Sequence, residues 1–472
     1  MALAEISFLY VFLPLCLLSY YIFSEPKFRN AVLIIFSLLF YAWGKPIGLL
    51  FILASAIFNY LVALVCDKFE GKPIAKFTVT AGVIINLIGL AIPKYTAFVT
   101  ENINAIFKTE LEVPSMIVPI GISYYTFRAI SYIVDVYWGK VKAQKDFSQF
   151  LLYVSMFAHI IAGPIVRYST VENQLASRKV DYSSMSEGIT RLITGLAKKV
   201  IIANNLYAIV EDFFIGSGME VVISSRTVAD TWYAVTVYAL FMYFDFSGYS
   251  DMAIGIAKLF GLDFDENFNY PFMCRSISEF WQRWHISLGT FFRDYLLYLP
   301  IFGKRRKYAS LFLVWFSTGL WHGASWNYII WGLYFGLFIL IEQLITKKRL
   351  KKIPTIIMHV YTKLVIIIGF GIFFFTDFSK LGDFLKNLIG LNGNALADVY
   401  VKSSITNNIW LIAVAILFCF PVIPKIKKFS QKSESLTAVY SISEIIINII
   451  LLIVCTIFLT LQTRNPFFYA NF

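Results

Sequence analysis

Apolar runs, most of them of membrane-crossing length, alternate with short loops rich in lysine and arginine, and this alternation constrains the chain more than any motif in it. Backbone buried in lipid has no water to bond, so runs of this kind form helices. They cover 6–23, 31–43, 47–66, 77–92, 118–137, 150–165, 183–214, 231–246, 309–321, 356–375, 409–423 and 439–461. The pattern predicts an all-α, polytopic integral membrane protein with roughly ten to twelve spans. With 58% hydrophobic and only 15% charged residues among 472, no stretch is left for a separate soluble domain.

The formal net charge of +12 invites a nucleic-acid partner, but the basic residues are placed for a membrane. They gather at Lys140, Lys142 and Lys145, at 304–307, at 347–352, and at Lys425, Lys427 and Lys428. Cytoplasmic loops carry this excess, and counting the alternate loops puts the N-terminus outside. No lysine or arginine precedes Lys27, which reads as a retained first span rather than a cleaved leader. The cysteines Cys16, Cys66, Cys274, Cys419 and Cys455 have neither disulfide nor metal-ligand spacing.

Polar insertions break the apolar pattern in three places. Residues 243–253 hold Asp245 and Asp251 with two serines and a tyrosine. Ionisable groups are costly at membrane depth and mark a reaction site or a conducting path. The two carboxylates do not share a helical face, and Gly248 between them is expected to break the helix. One carboxylate is expected to fix a histidine and the other to pair with Arg283 or Arg293; a purely structural ion pair is an equal alternative. The stretch 262–307 carries too many charges among its aromatics to cross simply and reads as amphipathic and re-entrant helices. Ser276 to Glu279 has capping-box spacing, and Glu279 stands one turn from Arg283. Arg275, Arg283, Arg293, Lys304 and Arg305, with Trp284 among them, suit the phosphates of a donor or the acidic face of a carrier. Positive-inside topology explains such a set as well.

The hairpin that follows has basic ends, at 304–307 and 347–352. Its first arm, 309–321, makes about 20 Å of helix against a hydrocarbon core of ~30 Å. The turn holding His322 and Gly323 therefore stops inside the bilayer, with Ser325 and Asn327 within reach. A neutral imidazole there is a general base for a hydroxyl; a core histidine satisfied by a neighbouring helix fits the spacing equally. His285, beside Arg283 and Trp284, orients a thioester, hydrogen-bonds a reacting carbonyl, or sits in an aromatic belt. His159 and His359 lie on apolar stretches without polar company and read as core.

Taken in order, seven blocks make a recognisable set: 119–128 (Pro-Ile-Gly-Ile-Ser-Tyr-Tyr-Thr-Phe-Arg), 135–137, 161–167 (Ile-Ala-Gly-Pro-Ile-Val-Arg), 243–261, 279–288, 292–295 and 319–327. The chain resembles the membrane-bound O-acyltransferases, and within them the bacterial branch of alginate and cell-wall polysaccharide O-acetyltransferases. The tail 465–470 looks similar too. Residues 300–303 depart from the usual Leu-Gly-Gly turn, and His159 stands where the family is often polar or proline-like.

The resemblance implies one membrane-embedded domain, 1–472, around a central funnel or tunnel in a bacterial cytoplasmic membrane. Its catalytic core motifs would lie in 119–336, between N-terminal helices 1–118 and C-terminal helices 337–472. It implies transfer of an acyl group, acetyl above all, from a cytoplasmic thioester to a hydroxyl of an extracytoplasmic polysaccharide or partner protein. His322 matches the catalytic histidine of the family's pair and His285 the first histidine, with Asp245, Asp251, Ser325 and Asn327 in support. No bound cofactor or metal is expected; the donor is acetyl-CoA or an acyl-carrier thioester. Expected partners are lipids, the acceptor polysaccharide, a secreted or membrane-anchored acetyltransferase- or esterase-like protein, and an acyl carrier protein. Two rivals stand beside this reading. One is a D-alanyl transferase of teichoic acid drawing on a carrier-protein thioester. The other is a transporter or flippase whose polar path runs through 245–251 and the histidines, against which the lack of an obvious internal repeat argues.

Overall fold

The computed structural model describes residues 2–43, 46–216, 221–298, 306–345 and 353–461. Every regular element among them is a helix. Seven are long and apolar enough to cross a membrane: Ile47–Lys68, Pro73–Phe107, Tyr182–Ile215, Trp326–Leu344, Thr355–Phe374, Val399–Phe418 and Glu434–Leu461. Against the expected ten to twelve spans, the other helices include shorter ones, such as Pro26–Ala42, Ile122–Tyr137 and Lys307–His322, and Val228–Leu259, which carries Asp245 and Asp251. As expected, the stretch after 262 is irregular, with only the short helices Ile277–Arg283 and Ile286–Phe292 and brief turns around them.

The chain divides into two compact units, Met1–Leu192 with Tyr249–Glu266, and Ile193–Gly248 with Asn267–Phe468. In the first unit the helix Ile122–Tyr137 is buried along nearly its whole length. Pro73–Phe107 has 35 residues, about 52 Å at 1.5 Å per residue, and runs well past the apolar stretch 77–92. Arg178 ties separate segments of this unit together: Nε donates to Tyr20 Oη at 3.0 Å and Phe260 O at 2.9 Å, and a terminal nitrogen to Asn30 Oδ1 at 2.7 Å. His159 is buried with its ring 4.9 Å from that of Phe264, a core position as expected.

The second unit is built on the hairpin of Lys307–His322 and Trp326–Leu344. A β-carbon on Gly319 would collide with the backbone of Tyr328, and one on Gly332 with the carbonyl of Trp315, so only glycine lets the two arms touch main chain to main chain. Thr355–Phe374 packs along the second arm, where Gly369 meets the Phe335 ring. Val399–Phe418 and Glu434–Leu461 bury few of their residues and leave Ile409, Ile442, Ile446, Ile450 and Ile453 exposed. In a spanning helix, such a face belongs to lipid.

Gly248 does not break its helix. Val228–Leu259 is continuous, and Gly248 is a packing position instead. A β-carbon there would stand 2.8 Å from the carbonyl oxygen of Gly195 and 3.1 Å from the nitrogen of Lys199.

Candidate active site

Local sequence chemistry delivers His285. Ser276 Oγ accepts from Glu279 N at 3.0 Å and starts the helix Ile277–Arg283, as the capping-box spacing predicts. Glu279 Oε2 turns back to accept from Arg275 N, one residue earlier than the box requires, and its other oxygen lies 2.9 Å from Arg283. Glu342, near the end of the second hairpin arm, clamps the same helix start. Its carboxylate accepts from Ile277 N at 2.6 Å, Ser278 N at 2.9 Å and Ser278 Oγ at 2.7 Å. A carboxylate at a helix N-terminus meets both the free N–H groups and the positive end of the dipole.

The helix stops at Arg283, and His285 adopts a left-handed conformation (φ 44°, ψ 54°). That region is strained for a residue with a β-carbon and has to be held by its surroundings. Here Ile286 N donates to Asn267 O at 3.0 Å and Asn269 N to Arg283 O at 2.9 Å. The imidazole is 2% exposed, with Nδ1 3.0 Å from Asn267 Oδ1. The Phe246 ring stands edge-to-face 4.7 Å away. His285 lies outside the long apolar helices, and burial pushes its pKa down to about 3, so the ring is neutral at working pH.

His322 ends the first hairpin arm, whose 16 residues span about 24 Å, still short of a ~30 Å core. It too is 2% exposed. Its walls are rings: Trp331 at 4.8 Å, Trp321 at 4.9 Å and Phe373 at 5.2 Å between centroids. A β-carbon on Gly323 would lie 2.5 Å from the Tyr328 ring, so glycine is what allows this turn to close. The Trp321 indole also lies 5.7 Å from His285, which makes it the shared wall of the two imidazoles.

The residues expected in support have the following surroundings. Asn327 is buried and donates to Phe373 O at 2.9 Å and Ile372 O at 3.3 Å, so it fixes the ring against His322. Ser325 is the residue before the second arm and makes no capping bond. Asp245 pairs with Lys199 Nζ at 2.6 Å, both nearly inaccessible (0% and 2%). Asp251 pairs with Arg191, 2.7 Å away, which also bridges to Glu266; this ion pair lies in the other compact unit. Each carboxylate thus has an ion-pair partner on the helix Tyr182–Ile215. Arg191 and Lys199 sit within the helix Tyr182–Ile215, in the half-polar stretch that follows residue 183.

Of the cations assigned to a donor, Arg283 is taken by Glu279 and Asn269 O, and Arg293 pairs with its neighbour Asp294. Arg275 is exposed. Trp284 is buried among Phe268, Phe280 and Phe370 and is core rather than a docking surface. Lys304 and Arg305 lie outside the described residues, as do 300–303 and the tail 465–470. His359 does have polar company, with Lys363 Nζ 3.4 Å from Nδ1. Asn267 and Glu342 were missed. A lone carboxylate late in an apolar helix was a usable signal for Glu342; Asn267 stands in a plain polar stretch and offered none.

Two buried imidazoles, His285 and His322, stand against one indole in a chain of apolar helices. Residues 143–378 match the family described as MBOAT, membrane-bound O-acyltransferase. The chain belongs to this family and is an O-acyltransferase, which displaces the transporter and flippase alternative. It is 38% identical over 375 residues to the "Probable alginate O-acetylase AlgI" of Pseudomonas aeruginosa, covering 78% of this chain and 70% of that one. It is 32% identical over 435 residues to the peptidoglycan O-acetyltransferase of Helicobacter pylori, covering 84% and 81%. The teichoic acid D-alanyltransferase of Bacillus subtilis is 32% identical over 274 residues, covering 54% of this chain and 68% of that one.

Proposed function

We propose that this protein moves an acetyl group from a cytoplasmic thioester through the membrane to a hydroxyl of an extracytoplasmic polysaccharide, or of a partner protein that completes the modification. The observation that carries the reading is the pair His285 and His322 against Trp321, inside the region that matches the acyltransferase family. A thioester needs little activation; positioning, a base and exclusion of water suffice. His322 takes the proton of the acceptor hydroxyl as its oxygen bonds to the thioester carbon. The carbon–sulfur bond then breaks, and the proton passes to the departing thiolate. Acetyl-CoA is the donor of choice, because the acetyltransferase relatives match more of this chain than the D-alanyltransferase does. A carrier-protein thioester is the second reading, favoured by that D-alanyltransferase match. The basic loops support a reading in which the protein lies in the bacterial cytoplasmic membrane with its N-terminus outside. Expected partners are the polysaccharide acceptor and a secreted or membrane-anchored acetyltransferase- or esterase-like protein.

The test is acetyl transfer from labelled acetyl-CoA by the full chain in lipid nanodiscs, alongside acetyl content of envelope polysaccharide in cells. Wild type should transfer, and His322→Ala, inserted and folded, should not. Unchanged transfer by His322→Ala removes that residue as the base, and transfer only from a carrier thioester moves the protein to the second reading.

A further inference from the structure

The hydrogen bonds around Asn267 decide which proton His285 carries. Asn267 is fully buried, and its Oδ1 lies 2.8 Å from Ser287 Oγ, 3.3 Å from Ser287 N and 3.0 Å from His285 Nδ1. A backbone N–H only donates, so the amide atom facing Ser287 N is the oxygen, and the side-chain orientation is not arbitrary. That oxygen only accepts. A bond to it therefore requires a proton on Nδ1; a bare Nδ1 would set two lone pairs against each other. The Ser287 hydroxyl is already given to Oδ1 and stands 3.5 Å from Nδ1, a poor distance for an alternative donor. A neutral imidazole has one ring proton, so Nε2 is bare. Nε2 is buried and has no hydrogen-bond partner among the described residues.

We propose that Asn267 is a positioning residue that locks His285 as the Nδ1–H tautomer, so that Nε2 accepts a hydrogen bond from a hydroxyl of the acyl acceptor. This rests on the acyltransferase reading above and sharpens it. A ring in this tautomer cannot donate to the reacting carbonyl, so His285 holds the acceptor while His322 removes the proton of the attacking oxygen. Asn267 also holds the left-handed backbone at His285 through the Ile286 N to Asn267 O bond, so orientation and tautomer come from one residue.

The ring nitrogens report the tautomer directly. Only four histidines are present, so ring-15N spectra of the full chain in nanodiscs are assignable with a His285→Asn control. The expected wild-type signal for His285 is a protonated Nδ1 and a bare Nε2. Asn267→Ala should mix the tautomers and raise KM for the acceptor several-fold with a smaller change in kcat. Asn267→Asp keeps an acceptor at Nδ1–H and adds a negative charge that favours the imidazolium. Its acid limb should therefore move up by about one pH unit or more, with KM rising as pH falls. A merely structural Asn267 moves neither the limb nor the tautomer. A protonated Nε2 in wild type overturns the proposal, as does an Asn267→Asp protein with unaltered spectrum and pH profile. If wild type transfers no acyl group at all, the function reading fails, and the spectrum still decides what Asn267 does.

Discussion

Around His285 the holding groups are polar: Asn267 on the ring, and main-chain bonds from Ile286 and Asn269 on either side. Around His322 they are Trp321, Trp331 and Phe373, and the amide nearest in sequence, Asn327, works at one remove by tying Phe373. The first imidazole is oriented by hydrogen bonds, which specify a proton position. The second stands among three aromatic rings, which specify its place in the hairpin turn.

The comparison breaks most decisively at His322. His322→Ala should cost on the order of 10³-fold in kcat, measured by acetyl transfer, while melting in nanodiscs stays near wild type. Loss of transfer of similar size in His285→Ala would erase the distinction; about 10²-fold, mostly in KM, is expected. Asn327→Ala should lower transfer only several-fold, because Phe373 loosens and His322 remains. It should also destabilise by about 1–3 kcal/mol, through the two backbone carbonyls left unbonded. Lys199→Met should leave kcat per folded molecule unchanged yet destabilise by about 3–5 kcal/mol, since it removes one partner of a buried ion pair. Adding Asp245→Leu should restore most of that stability.

A smaller effect concerns acid. The unfolded imidazole takes a proton near pH 6.5, whereas folded His285 resists it until about 3. Between those values the unfolded chain binds more protons, so stability should fall as pH drops below about 6.5, by roughly 1.4 kcal/mol per unit from this group. Melting against pH should show that slope reduced in His285→Asn.

The apolar helices were legible because lipid leaves the backbone one solution. The Ser276 cap was legible because its chemistry is local. Helix ends were less so: Glu101 and Asn102 are compatible with helix, and Pro73–Phe107 runs through them. The partners of Asp245 and Asp251 were not legible, since Lys199 and Arg191 lie far upstream and nothing in a span records which neighbour faces it. Gly248 misled for a related reason. Its missing side chain serves a close approach to Gly195, a fact about another segment.

The glycine contact between the hairpin arms has a mechanical consequence. Lys307–His322 and Trp326–Leu344 behave as one stiff bar, with His322 at its tip and Glu342 towards its other end. Glu342 grips the start of the short helix that leads to His285. A tilt of the bar carries both imidazoles along together, so their spacing is insulated from the flexing of the spans.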